Sequence, residues 1–213
     1  AGLAKLDAAQ AVKLAKEIRL VPASQLAEAA LKVLAAHVLA SSIEVFVAAT
    51  ESRDTSMQQL AWDSLAKSDD PRAVEAIQAA VKRYIAGELA PEVQLNVVEA
   101  AETLLANGKL PEAIGNELKN FQTTLAENDP LGAWLASLQG GNVNRGKVLF
   151  AKTELSCVRC HKVDRAGGEV GPNLTTIGKE KDARYLLEAI CLPNAAIAKG
   201  FETAVIANED GQD

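Results

Sequence analysis

Residues 156–162 read SCVRCHK, two thiols three positions apart with an imidazole directly after the second. Three chemistries use such a spacing. A redox dithiol places C-x-x-C at a helix N-terminus after a strand of a βαβ unit. Here GKVLF (146–150) reads as helix, and no βαβ pattern surrounds it. A structural zinc site wants four ligands, usually as two separated pairs. Only Cys191 and the distant His37 remain to complete a set, and no second C-x-x-C occurs. The third chemistry is covalent haem attachment, whose signature is C-x-x-C-H. Two thiols on one helical turn can each form a thioether to one of two neighbouring vinyl groups, and the adjacent histidine then ligates iron. The bland alternative is an exposed loop with a chance match, which would leave two thiols exposed to no purpose.

The flanking residues favour haem. GKVLFAKTELSCVRCHKVDRAGGEVGPNLTTIG (146–178) resembles a class I c-type cytochrome. A helix with Gly146 and Phe150 leads into the motif, a GPNL segment follows, and a second helix, RYLLEAI, comes after it. More narrowly, DPLGAWLASLQGGNVNRGKVLF, EVGPNLTTIG and YLLEAICLPNAAIAKGFETAV resemble a haem-binding domain family of planctomycete and verrucomicrobial secreted proteins. In that family the haem domain often follows HEAT-like helices, themselves preceded by a sugar-dehydrogenase-like β-propeller that has no counterpart in these residues. The resemblance implies one covalent haem c. It makes Cys157 and Cys160 the thioether residues and His161 the proximal iron ligand. It gives the carbonyl of Pro172 the task of accepting the Nδ1–H of that histidine, fixing its tautomer. A plain turn is the alternative for GPN. Leu174 and Phe150 would line the haem pocket or serve as ordinary core. Thioether formation outside the cytoplasmic membrane implies a periplasmic or exported protein whose leader is already removed.

The distal ligand is the gap. Class I cytochromes usually place a methionine after the helix that here ends near Ile190. The one methionine is Met57, far upstream, and none lies between His161 and Asp213. Weak candidates are Lys199 and Cys191 nearby, and His37 and Met57 in the helical region. Cys191 reads more readily as a small buried apolar residue, Lys199 as a solvated charge, and His37 as a packed helix residue. Either the iron is five-coordinate or its sixth ligand comes from elsewhere.

Upstream of the motif the chain is helical in pattern. Pro22, Ser41-Ser42, the DDP at 69–71, the ELAP at 88–91, the NGKLP at 107–111 and the NDP at 128–130 punctuate apolar residues recurring at i, i+3, i+4 and i+7. VEAIQAAVKRYI (74–85) and VQLNVVEAAETLL (93–105) show the period clearly. Leu60, Trp62, Leu65 and Ala66 recur as Leu95, Val97, Ala100 and Ala101, and Leu26 and Leu31 echo Leu60 and Leu65. A helix-pair unit of this length suggests a HEAT-like α-solenoid, with a plain antiparallel bundle as the alternative. The pattern breaks at the Gly140-Gly141 step. The expected architecture is all-α: a helical repeat domain over 1–140 and a monohaem cytochrome c domain over 141–213.

Composition is consistent with this. Of 213 residues, 48% are hydrophobic and 23% charged, an ordinary globular balance, while aromatics are only 4% and suit helix-on-helix packing of Ala and Leu. A net charge of −6 argues against a nucleic-acid partner. No apolar run reaches the ~20 residues of a membrane span. FETAVIANEDGQD at the end alternates like a strand without a partner, as if cut. No G-x-S-x-G or Gly-rich phosphate loop appears. The expected work is therefore electron transfer rather than catalysis, within a larger secreted redox enzyme and towards a redox partner or dehydrogenase domain. The alternative is a small-ligand sensor or weak peroxidase with an open distal site.

Overall fold

The computed structural model describes residues 25–37 and 40–202, together with Lys13. The helical pattern expected before Pro22, most of the strand pattern expected after Phe201, and the side chain of His37 lie outside the described residues. The chain divides into two compact units, residues 1–141 and 142–213.

The first unit is made of helices: α1 (Gln25–His37), α2 (Ile43–Ala49), α3 (Thr55–Leu65), α4 (Pro71–Ile85), α5 (Pro91–Ala106) and α6 (Glu112–Asn128). Short 3₁₀ turns at Ala40–Ser42 and Gly132–Ser137 accompany them. Their ends follow from the residues. Asp54 caps α3 by accepting from the Ser56 amide, and Asp70 caps α4 by accepting from the Arg72 amide. Pro71 and Pro91 open α4 and α5, where a missing N–H costs nothing. Gly87 and Gly108, at φ +73° and +68°, end the same two helices. In each case the next amide reaches back five residues, Glu88 to Arg83 and Lys109 to Leu104, which satisfies carbonyls the helix end would leave bare.

Packing follows the apolar stripes. Each of α3 to α6 lies against its neighbour, and α1 meets α3, α2 meets α4, α3 meets α5 and α4 meets α6. Phe46, Leu34, Ile43, Leu65, Ile77 and Leu104 are fully buried. Tyr84 meets Phe121 edge to face at 5.3 Å. The recurring positions share their environments. Leu60 and Leu95 are half-buried, whereas Trp62, Leu65, Ala66, Val97, Ala100 and Ala101 are buried. Polar links join helices two apart: Gln59 Nε2 donates to the Glu92 carbonyl at 2.9 Å, and Asn96 Nδ2 to Asp63 at 2.8 Å. Arg72 and Arg83 pair with Glu44 and Glu51 at 2.8 and 2.9 Å.

The second unit holds α7 (Val143–Phe150), α8 (Cys157–Cys160), a hairpin of β1 (Lys162–Val163) and β2 (Ala166–Gly167), α9 (Ile177–Glu180) and α10 (Ala183–Cys191). The described residues are mostly helical, consistent with the all-α expectation, and the hairpin is a small addition to it. Its strands have two residues each, paired Lys162 to Gly167 and Val163 to Ala166, too short to leave an alternating pattern. No helix among the described residues is long and apolar enough to cross a membrane.

Candidate functional site

The motif is built by a sequence of local stops. Asn142 caps α7 by accepting from the Arg145 amide at 2.9 Å. After α7, Ser156 takes a left-handed conformation (φ +58°) and turns the chain into the single helical turn Cys157–Cys160. His161 is extended (φ −102°, ψ 136°) and ends that turn, its amide donating to the Cys157 carbonyl at 2.9 Å. Cys157 and Cys160 are both free, the first half-buried and the second exposed.

The segment after the hairpin folds back over the turn. The amides of Gly168, Gly171 and Leu174 donate to the carbonyls of Val158, Cys160 and Lys162 at 2.9, 2.8 and 2.8 Å. Two glycines make this approach possible. A Cβ on Gly167 would strike the His161 carbonyl, and one on Gly168 the Arg159 carbonyl. Asn173 and Thr175 hold the far end: Asn173 Oδ1 accepts from the Thr175 amide and hydroxyl at 2.9 and 2.6 Å, and Thr175 Oγ1 accepts from the Asp164 amide at 2.8 Å. Lys162 pairs with Glu169 across the loop at 2.6 Å, and that hydrogen bond holds the Glu169 carboxyl below its usual range.

The fold-back brings His161 to Pro172. Nδ1 of the ring lies 2.9 Å from the Pro172 carbonyl oxygen. A carbonyl only accepts, so Nδ1 carries the proton and the neutral ring keeps its lone pair on Nε2. The site therefore offers two thiols on one turn and one imidazole nitrogen oriented by a hydrogen bond, which is the donor set of an axially ligated, covalently held haem. Among the described residues no group of three or more His, Cys, Asp and Glu side chains is placed to hold a metal ion by itself.

The other candidates are scattered. Phe150 and Leu174 are half-buried in the second unit. Cys191 is the half-buried last residue of α10, and Lys199 is exposed beyond it. Met57 belongs to the first unit, where it packs against the helical core and its sulfur accepts a weak bond from Ser52 at 3.9 Å. His37 is the last residue of α1. Gly167, Gly168 and Gly171 were not among the sequence candidates. Their only signal is the pair of dipeptides GG and GP, which reads first as turn.

The second unit also fits a large apolar group. None of its described residues is buried. Nine of the ten large hydrophobic side chains exposed among the described residues lie in it, from Val143 to Phe201, so its apolar surface is not spent on a core of its own. No curated protein and no solved structure matches the chain. Residues 143–207 match the family model of cytochrome c, which supports a c-type cytochrome domain in this part of the chain; that family binds covalent haem c, typically one per domain.

Proposed function

We propose that the chain is an electron-transfer module in which Cys157 and Cys160 bear the haem through thioethers and His161 is the proximal iron ligand. The observation that carries this reading is the His161–Pro172 hydrogen bond beside two free thiols one helical turn apart. When bound, the haem supplies a one-electron couple. The residues around it do the rest. Pro172 orients the imidazole and makes its Nε2 the better donor. Phe150 and Leu174 give the pocket apolar walls, excluding water and thereby holding the potential away from that of an exposed haem.

The division into a helical domain over 1–140 and a cytochrome c domain over 141–213 belongs to the same proposal. The helical part is a short HEAT-like solenoid. Its support is the recurrence of Leu60, Trp62, Leu65 and Ala66 as Leu95, Val97, Ala100 and Ala101 with like burial, on two helices linked by the Gln59–Glu92 and Asn96–Asp63 hydrogen bonds. The module is periplasmic or exported and forms part of a larger secreted redox enzyme. It takes electrons from a dehydrogenase domain or partner and performs no substrate chemistry itself. This rests on the resemblance to the planctomycete and verrucomicrobial family, together with the family match.

One observation favours a second reading, a ligand-binding haem. Residues 162–213 contain neither Met nor His, and the one methionine, Met57, belongs to the first unit. Optical spectra of the ferric and dithionite-reduced protein, with and without carbon monoxide, separate the two. Electron transfer predicts a reversible, low-spin couple indifferent to carbon monoxide. Carbon monoxide binding at micromolar concentration would move the function to sensing or peroxidase chemistry, and absence of any haem would remove both.

A further inference from the structure

We propose that Gly171 is a positioning residue for His161: it is the floor on which the imidazole lies, and it sets the direction in which Nε2 points. This rests on the reading of His161 as the proximal ligand.

Three observations carry it. A Cβ placed on Gly171 would stand 2.8 Å from Cε1 of His161, 3.0 Å from Nδ1 and 3.3 Å from Nε2. Three ring atoms within this range mean that the ring is laid along the glycine rather than touching it at a corner. Gly171 is also absent from the glycines with positive φ, which among the described residues are Gly87, Gly108, Gly141, Gly167 and Gly200. A left-handed backbone is therefore not what calls for glycine here; the space taken by the His161 ring is. Finally, neither partner can retreat. The Gly171 amide is bonded to the Cys160 carbonyl, the Leu174 amide to the Lys162 carbonyl, and the intervening Pro172 carbonyl holds Nδ1. The main chain is thus tied down on both sides of the histidine.

The ring then has one hydrogen bond in its plane and one backbone surface beneath it. Together these fix its rotation about Cβ–Cγ, a torsion that is otherwise broad. An added methyl group at 171 turns or lifts the ring and stretches the Nδ1–H···O bond. A weaker bond makes the imidazole a poorer donor to ferric iron, which raises the reduction potential.

The test compares Gly171→Ala with Gly178→Ala in the full chain. At Gly178 an added Cβ meets nothing within 4 Å. Pyridine haemochrome assay gives covalent haem per chain, low-temperature electron paramagnetic resonance gives the ferric g-values, and redox titration gives the potential. Gly171→Ala is expected to retain covalent haem, since Cys157 and Cys160 are untouched, with altered g-values and a raised potential. Gly178→Ala is expected to match the parent. Gly171→Ala indistinguishable from the parent in both g-values and potential overturns the proposal. Should that variant fail to accumulate, the parent decides. In the reduced protein, made diamagnetic with carbon monoxide where necessary, a nuclear Overhauser effect between the Gly171 Hα protons and His161 Hε1 supports the contact, and its absence overturns it. Failure of the underlying reading looks different: the parent itself would carry no covalent haem.

Discussion

The ring of His161 and the carbonyl of Pro172, eleven residues apart in sequence, meet at 2.9 Å through Nδ1. The contact closes the loop that begins at the motif and fixes which nitrogen is left to bind. It makes His161 the residue whose loss should be repaired from solution. In His161→Gly the parent's visible spectrum should disappear, and millimolar imidazole should restore much of it by filling the same space. Titration of the variant with imidazole, followed in the Soret region, checks this. A spectrum unchanged by the substitution would take the iron away from His161.

Cys157 and Cys160 lie on one helical turn and are both free, so each should carry one thioether independently. Cys157→Ser and Cys160→Ser should each keep haem after acid–acetone extraction, with the pyridine haemochrome band shifted towards that of one thioether. The double variant should release all of its haem to the solvent.

The helical unit should answer separately to its own core. Phe46 is fully buried, and Phe46→Ala should cost about 3–5 kcal/mol through lost contacts and the cavity left behind. Glu75, exposed on α4, should change stability by less than about 0.5 kcal/mol when replaced by alanine. Urea unfolding followed by circular dichroism distinguishes the two. Equal effects would mean that Phe46 packs far less tightly than its zero exposure indicates.

Much of the helical framework was legible because its signals are local. The prolines that open α4 and α5, the apolar period of VEAIQAAVKRYI and VQLNVVEAAETLL, and the matched series Leu60 to Ala66 on α3 and its C-cap and Leu95 to Ala101 on α5 are all properties of short windows, and the matched positions have like burial. The site was legible in its reactive groups but not in its supports. The β1–β2 hairpin leaves no alternation in two-residue strands. Asp164 takes φ +53° without a glycine to announce it. The demand for glycine at 171 comes from a side chain ten residues earlier, which no window of local propensity contains. The partner of Nδ1 was reached only through resemblance, since a backbone acceptor has no side-chain signature.

Asp70 should give the helical unit a defined acid sensitivity. The hydrogen bonds from Arg72, by side chain first and then backbone, lower its carboxyl to about 2 from 3.8. A carboxylate depressed in the folded state stabilises above its unfolded value, and that contribution is lost as pH falls towards the folded value. Asp70→Asn should therefore lower the urea midpoint by a constant amount above pH 4, with the difference from the parent shrinking as pH drops from 3.8 towards 2. A difference independent of pH across that window would mean that Asp70 acts only as an uncharged cap.

The two units should also part company when haem cannot attach. Residues 142–202 include none that is buried, whereas the helical unit owns a continuous core from Ala30 to Ala136. Folding free energy in the second unit must then come largely from the bound group, as in any protein whose ligand binds only the native form. In Cys157→Ser/Cys160→Ser produced without haem, amide hydrogen exchange should be slow in α3, α4 and α5 and fast from α7 to α10. In the haem-loaded parent, protection should extend to the amides of Gly168, Gly171 and Leu174, which close over the motif. The comparison tests cause as well as location. Equal protection of those three amides with and without haem would mean that the loop is held by its own hydrogen bonds, and that the site is formed before the group arrives. Protection gained only on attachment would make the haem the core of its own domain.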